Sequence, residues 1–405
     1  MKIMYINPYA GGPGVGRYWR SYHLSNAWRA EGHDVTIVTP AFHHLMDKVD
    51  RPVSQEVIDG NRYVFLPSLK YKDNGIRRFL SMILFPFSLF LYFLTQAFKP
   101  KPDLIIYSSA HPFGYPMAWL AARLFRARIY FEVRDIWPLS LVEVAGFSKR
   151  HPVVRVLAVL ERFAYATADK VISLLPGAGS HMKSKGMARG KFLYVPNGFS
   201  KAAPPVASNI LRSPLIDALE EYRRNGDFIF LYAGALGEPN AMHRFVDSLK
   251  FLSAERCRYV KFVIVGKGEQ AADLQQRCIE ARYDFVKFFP QQDKSVIHAA
   301  LDRVDAGFFV MHDLPIYRFG VSLNKLYDYM AASLPVVAGF HAFNDPVTDS
   351  ACGIRVAPDD PEALAAAFET VASLQHDDLK RMGDAGRAYL ERNFEYSVLA
   401  EKLIG

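Results

Sequence analysis

Lys2-Ile3-Met4-Tyr5-Ile6-Asn7-Pro8, followed by Gly11-Gly12-Pro13-Gly14-Val15-Gly16, Arg17–Arg29 and Asp34–Thr39, decides the fold. The first stretch is apolar at nearly every position, as a strand covered on both faces must be. The glycines read as a tight turn, and the next segment has helical periodicity closed by Gly32-His33. The last is a second apolar strand. Strand, glycine turn, helix, strand opens a doubly wound α/β domain.

The alternation continues outward from there. Leu104–Ser108, Ile129–Val133, Lys170–Leu174 and Phe192–Val195 read as further strands, and Val153–Ala168 as a helix. A run rich in turn formers, from Pro196-Asn197-Gly198 through Pro204-Pro205 to about Pro214, reads as a linker. Then the scheme restarts. Strands are predicted at Phe228–Tyr232, Lys261–Val265, Phe285–Phe288, Ala306–Val310 and Pro335–Ala338. Helices are predicted near Ala241–Leu252, Gln270–Arg282, Ser295–Val304, Leu323–Ala332, Glu362–Leu374 and Asp377–Asn393. The predicted fold is α/β, with two Rossmann-like domains facing across a cleft and ligands at the carboxyl ends of the strands. Residues 1–200 would form the N-terminal domain and 201–385 the C-terminal one, with 386–405 a helix packing back toward the first.

Composition agrees. The chain has 405 residues, 50% of them apolar and 22% charged, too long for one core and too apolar to be disordered. Its three cysteines, Cys257, Cys278 and Cys352, have no metal-like spacing, which excludes a disulfide scaffold and suits a reducing compartment. No signal-peptide pattern reads at the N-terminus, so residence in the cytoplasm is expected. Residues 1–200 carry 26 Lys/Arg against 13 Asp/Glu, and residues 201–405 carry 23 against 28. A basic half suggests an anionic partner, nucleic acid or a membrane surface. An apolar segment favours the membrane. Phe79–Phe98 is free of charge between Arg77-Arg78 and Lys99. As a helix it is about 30 Å long. Ser81, Ser88, Tyr92 and Thr95 give it a thin polar stripe, and Pro86 interrupts it. It reads as a core helix, an interfacial helix with Arg77, Arg78, Phe87, Phe90 and Leu91 docking on lipid, or a span. A span would put strands of one sheet on opposite sides of the bilayer.

Several turns sit where a strand hands over to a helix. Gly11–Gly16 lets backbone approach a ligand, but Arg17 replaces the third glycine of a dinucleotide fingerprint and the second strand ends in Thr39-Pro40. Gly234 and Gly237 follow one strand and Gly266-Lys267-Gly268 another. In Phe319–Ala332, Gly320 and Ser322 open a predicted helix whose free N–H groups suit phosphate. Asp328, four residues after Asn324, shares its face and suits a ribose diol. Ser322 as a plain N-cap and Asp328 as a solvated residue are the structural alternatives.

Gly320, Ser322, Asn324, Lys325, Leu326, Asp328, Tyr329, Met330, Ala331 and Ala332 fit a pattern running roughly G-x-S-P-N-K-L-x-[DE]-Y-M-A-A, with Leu323 in place of proline. Together with Arg134-Asp135-Ile136-Trp137-Pro138 and Val195-Pro196-Asn197-Gly198, this resembles the retaining GT-B glycosyltransferases of family 4. The fucosamine-transferase-like branch of bacterial surface-polysaccharide enzymes is the nearest match. The resemblance covers essentially the whole chain. It implies a nucleoside-diphosphate sugar, UDP-linked by preference, held by the C-terminal domain. It implies a polyprenyl-diphosphate-linked or glycan acceptor held by the N-terminal domain, transfer with retention, and no metal or other cofactor. No DxD motif is present, in keeping with that. His111 and Asp135 would be catalytic. Gly14, Gly16, Gly234, Gly237, Gly266, Lys267, Gly268, Ser322, Leu323, Asn324, Lys325 and Asp328 would bind the donor. Nucleic acid is not an expected partner, and the protein would sit peripherally on the inner face of the cytoplasmic membrane.

Two departures stand out. The family often carries an Arg and a Lys after the first C-terminal strand, but Gly234–Asn240 has neither, leaving Lys267 or Arg318 as substitutes. A family glutamate is replaced by Gly320. The second departure is a character of the branch, whereas the missing pair keeps open a catalytically silent scaffold in a polysaccharide assembly complex; a GT-B sugar-nucleotide epimerase is a further alternative.

Overall fold

The computed structural model describes residues 1–47, 51–71, 75–96, 100–109, 111–201 and 213–405. Most of the linker, including Pro204 and Pro205, and the last residues of the apolar run, Ala97 and Phe98, lie outside these. The chain divides into two compact units. One comprises Met1–Gly198, Arg318–Ser322 and Tyr396–Gly405, and the other Phe199–Tyr317 and Leu323–Glu395. The return into the first unit thus begins at Tyr396, where residue 386 was expected.

In the first unit the strands are β1 (Lys2–Ile6), β2 (Asp34–Pro40), β3 (Ser54–Ile58), β4 (Asn61–Leu66), β5 (Leu104–Ser109), β6 (Arg128–Val133), β7 (Lys170–Ser173) and β8 (Phe192–Tyr194). Their order is β3-β4-β2-β1-β5-β6-β7-β8, parallel except for β3 against β4. The order reverses between β1 and β5, so the carboxyl ends of these two strands flank the topological switch point. Tyr5, Leu104 and Ile106 bury one face of the sheet against Trp28 of helix Arg20–Ala30 and Leu399 and Leu403 of helix Tyr396–Ile404. The Trp28 indole donates to the Ala400 carbonyl at 3.0 Å, which fixes the C-terminal helix on this unit.

The second unit holds β9 (Phe228–Ala233), β10 (Val260–Val265), β11 (Val286–Phe289), β12 (Ala306–Val310), β13 (Val336–Gly339) and β14 (Gly353–Val356). Their order is β11-β10-β9-β12-β13-β14, all parallel. The switch point here lies between β9 and β12. Phe230, Phe262, Phe308 and Phe368 meet ring to ring at 4.9 to 5.9 Å, and each such pair adds roughly 0.5–1.5 kcal/mol to its burial.

Both sheets agree with the predicted doubly wound class. The β3–β4 hairpin was not anticipated. The first helix starts at Arg20 and not at Arg17, because the preceding loop makes its own bonds: Gly11 N donates to the Tyr18 carbonyl and Arg17 N to that of Leu45.

The apolar run forms helix Ile76–Gln96, with Pro86 inside it. Its ends return to β4 and β5 of one sheet, an ordinary crossover that leaves no room for a span. Ser81, Phe85, Leu89, Tyr92 and Phe93 are buried. Ser88 Oγ donates to the Pro67 carbonyl at 2.8 Å. The opposite side presents Ile76, Leu80, Leu84, Phe87, Leu91 and Leu94 to solvent, with Phe87 63% and Leu91 61% exposed. The usual amphipathic arrangement is inverted: much of the polar stripe faces protein and the apolar stripe faces out.

Candidate functional site

In the second unit the elements at the switch point are tied together by helix Asn324–Ala331. The Tyr329 hydroxyl donates to the Phe308 carbonyl of β12 at 3.2 Å and accepts from Ala233 N at the end of β9 at 3.1 Å. Gly307 makes this possible, since a Cβ there would lie 2.4 Å from the Tyr329 ring. Docked so, the helix delivers two charged side chains to the strand ends.

The first is Lys325. Its Nζ donates to Asn240 Oδ1 at 2.6 Å and to the Tyr232 hydroxyl at 3.2 Å, above the Tyr232 ring at 4.6 Å. It reaches the Gly234 turn, where a Cβ would lie 3.3 Å from the ammonium. Burial pushes Lys325 down to about 8. No carboxylate neutralises it among the described residues, so a cation stands beside a strand-end turn with capacity for an anion. The stretch Gly234–Asn240 lacks its own Arg and Lys, and Lys325 brings a charge to that place from ninety residues further along the chain.

The second is Asp328. It is half-buried, and burial raises its carboxyl, while Lys294 and His298 on helix Lys294–Leu301 oppose the rise. His298 is in turn lowered by burial, with Asp328 opposing. Asp328 is therefore embedded beside Lys294 and His298 and is not a freely solvated helix residue.

Other predicted donor residues have structural work. Gly266 and Gly268 allow two turns to cross, since a Cβ would fall 1.9 Å from the Gly234 carbonyl oxygen or 2.1 Å from that of Leu236. Gly237 has ordinary extended backbone, and Lys267 is exposed. Asn324 begins the helix, exposed, after Leu323 as N-cap.

Ser322 does not cap that helix, so the structural alternative for it does not hold. Its Oγ accepts from Asn197 N at 2.9 Å, and its carbonyl accepts from Asn197 Nδ2 at 3.3 Å. It belongs to the segment Arg318–Ser322 on the first unit. Arg318, a candidate substitute for the missing cations, pairs with both oxygens of Glu143 at 2.7 and 2.8 Å. Phe319 packs on His181 at 5.5 Å. Gly320 has φ of 107°, where any side chain is strained, so the replaced family glutamate has a backbone reason.

In the first unit, the glycine loop folds on itself. Gly16 cannot bear a Cβ because the Leu45 carbonyl oxygen would be 2.5 Å away, whereas Gly14 is exposed with open space and φ of 63°. His111 follows β5 and is fully buried against Tyr9, Phe113 and Trp137, at 5.4 to 6.0 Å between rings. Neither ring nitrogen has a hydrogen-bond partner among the described residues. Burial, aided by the charge of Arg78, pushes it down to about 3, so the imidazole is neutral near pH 7. It can hydrogen-bond a hydroxyl but is a poor proton acceptor. Asp135 follows the neighbouring β6 and is accessible to solvent. The protein around it raises its carboxyl, with Arg134 opposing. The Arg134 guanidinium lies 3.3 Å over the Tyr18 ring. Arg78, expected on the lipid side, is half-buried, and its charge acts on Tyr9 and His111. Arg77 stays exposed.

Sequence reasoning missed one buried pair. Arg20 meets both oxygens of Glu132 at 2.9 to 3.2 Å and donates to the Val195 carbonyl at 3.0 Å and to that of Pro196. Glu132 also accepts from Tyr5 at 2.9 Å and Ser108 at 2.6 Å. Burial alone would raise Glu132, but the guanidinium and these donors hold it below the usual carboxylate range. The pair anchors Val195–Gly198, whose Asn197 holds Ser322.

Residues 14–198 match the model of the glycosyl transferase 4-like domain, and residues 227–373 match that of the glycosyl transferases group 1. A probable glycosyltransferase of Pseudomonas aeruginosa, WbjE, is 21% identical over 99% of this chain and 96% of its own length. The sucrose-phosphate synthase of Thermosynechococcus elongatus superposes with a TM-score of 0.69 and 19% identity, over 99% of this chain and 97% of that one. Anabaena Alr3699/HepE, solved in complex with UDP and glucose, superposes with a TM-score of 0.64 and 15% identity, over 100% and 98%. The fold is that of the GT-B glycosyltransferases.

Proposed function

The chain belongs to the glycosyltransferases that join a glycosyl transferase 4-like domain to a group 1 domain, and on that premise we propose that it moves a hexose or N-acetylhexosamine from a UDP-sugar to a lipid-linked acceptor with retention of configuration. The reading places it in the fucosamine-transferase-like branch, in bacterial surface-polysaccharide synthesis at the inner face of the cytoplasmic membrane. The observation that carries it is Lys325 beside the Gly234 turn with Asp328 one helical turn further on. The ammonium meets the donor diphosphate and takes up charge as UDP departs, and the carboxylate accepts from the ribose hydroxyls. The UDP and glucose held by HepE support this nucleotide.

The departing charge is balanced by Lys325 and by amide dipoles near the strand ends, so no metal is required. His111 contributes a neutral hydrogen-bonding group to the reacting sugars, and Asp135 an accessible carboxylate for hydroxyls. Peripheral membrane contact rests on the outward apolar face of helix Ile76–Gln96. The scaffold alternative drew on the absent Arg/Lys pair, and Lys325 removes that motive.

The test is release of UDP from a panel of UDP-sugars in the presence of isoprenoid-diphosphate-linked sugar, with the product linkage read by NMR. Acceptor-dependent UDP release and a retained anomeric configuration are expected. Tight UDP binding without turnover for any donor would contradict the proposal.

A further inference from the structure

The turn that lacks Arg and Lys carries a carboxylate instead. Glu238–Asn240 is a single short turn after β9. At its end, Asn240 Oδ1 accepts from the Lys325 ammonium at 2.6 Å. At its start, Glu238 meets His312, which lies just beyond β12. β9 and β12 flank the switch point of this unit, so one turn joins Lys325 and His312 at the strand ends where a ligand is expected.

Glu238 is held there as a bound anion would be. One carboxylate oxygen lies 3.1 Å from His312 Nε2, and the other accepts from the Gln270 side-chain amide. The His312 contact is close but not aligned as a hydrogen bond, so this buried nitrogen keeps its capacity to donate. Both partners are anchored. The His312 ring packs on that of His243 at 5.1 Å, and Gln270 N donates to the Leu236 carbonyl at 3.0 Å. Glu238 itself is 66% exposed, and so exposed a contact is weak enough for the carboxylate to leave it readily.

Carboxylate and phosphate oxygens take the same donors. A diphosphate on Lys325 brings its oxygens to this turn, where Glu238 repels them for as long as it stays. Resting on the donor reading above, we propose that the Glu238 carboxylate is a placeholder in a phosphate-oxygen seat made by His312 and Gln270, and that the donor diphosphate displaces it. His312 and Gln270 then join Lys325 on the diphosphate, in place of the missing Arg and Lys. Because the carboxylate can return to its seat, it also favours departure of UDP after transfer.

The experiment is calorimetric titration of the full-length protein with UDP and with uridine. Glu238→Ala, at an exposed position, should bind UDP roughly threefold to tenfold more tightly than the parent, and His312→Ala should bind it more weakly by a similar factor. Uridine, which has no phosphate, should bind parent and variants alike. In the His312→Ala background, removing Glu238 should gain little. Glu269 is the control. Its carboxylate accepts from Glu238 N at 3.4 Å and lies outside the seat. Glu269→Gln should therefore change UDP affinity by less than about twofold. Unchanged or weaker UDP binding in Glu238→Ala, an equal gain from Glu269→Gln, or the full gain surviving without His312 would overturn the proposal and leave the donor reading standing. UDP bound by neither the parent nor Glu238→Ala would overturn both.

Discussion

The Lys325 ammonium stands 3.2 Å from the Tyr232 hydroxyl and 4.6 Å over its ring, with no carboxylate to balance it among the described residues. A cation held by an aromatic face and neutral oxygens keeps its charge available for an incoming anion. This pair brings to a strand-end turn without Arg or Lys a positive charge from elsewhere in the chain.

Replacing Lys325 with Gln should raise KM for the UDP-sugar between roughly tenfold and a hundredfold, the worth of a charged hydrogen bond. The pH dependence has a definite sign. Lys325 is lowered to about 8, so the unliganded enzyme loses the ammonium as pH rises through that value. Donor affinity should be flat below pH 8 and fall above it by up to about tenfold per pH unit. In Lys325→Arg that alkaline fall should vanish, because Arg does not titrate there. Initial rates from pH 6 to 10 measure both effects.

Asp328→Asn should weaken UDP about tenfold or more, with little change for 2′-deoxy-UDP, because the variant loses discrimination at the ribose diol. Competition assays with the two nucleotides measure it. Equal losses for both would place Asp328 elsewhere than on the ribose.

Phe87→Ser with Leu91→Ser should release the protein from anionic vesicles with little change in melting temperature. Both side chains are largely exposed in the folded protein, so their loss costs membrane partition and not the core. Each apolar side chain removed from the interface is worth roughly 1.5–3 kcal/mol at full burial. Flotation assays and thermal melts together decide. A lower melting temperature with binding intact would assign this face to packing.

Glu132→Gln should destabilise the first unit by about 3–5 kcal/mol, since Arg20 would be left charged and buried. The same pair sets an acid limit. Glu132 is held below the ordinary carboxylate range, so its contribution is present above the unfolded value near 4.3 and lost as pH falls through the folded one. Chemical denaturation at pH 7 and pH 4 should show the variant losing less than the parent on acidification.

Much of the fold was legible because parallel strands buried on both faces write themselves as short apolar runs. The β3–β4 hairpin was harder, since Ser54–Ile58 is a half-exposed edge strand with little apolar signal. Its turn was nonetheless marked by Asp59-Gly60, both in the left-handed region as a two-residue hairpin loop requires. Lys325 and Asp328 could be picked from one helix. Their partners could not, because Tyr232 and Asn240 lie 93 and 85 residues from Lys325, and no local period links them. Arg20 and Glu132, 112 residues apart, were invisible for the same reason. The bond between Ser322 and Asn197 was equally hidden, because it joins residues 125 apart in the chain. In the apolar helix, the spacing of Ser81, Ser88, Tyr92 and Thr95 showed a stripe but not which side the core would take.

A crystal structure of the protein soaked in UDP tests the central claim most directly. The account predicts diphosphate oxygens within hydrogen-bonding distance of Lys325 Nζ and the ribose hydroxyls on Asp328. UDP bound away from helix Asn324–Ala331, with Lys325 still turned only to Tyr232 and Asn240, would contradict it.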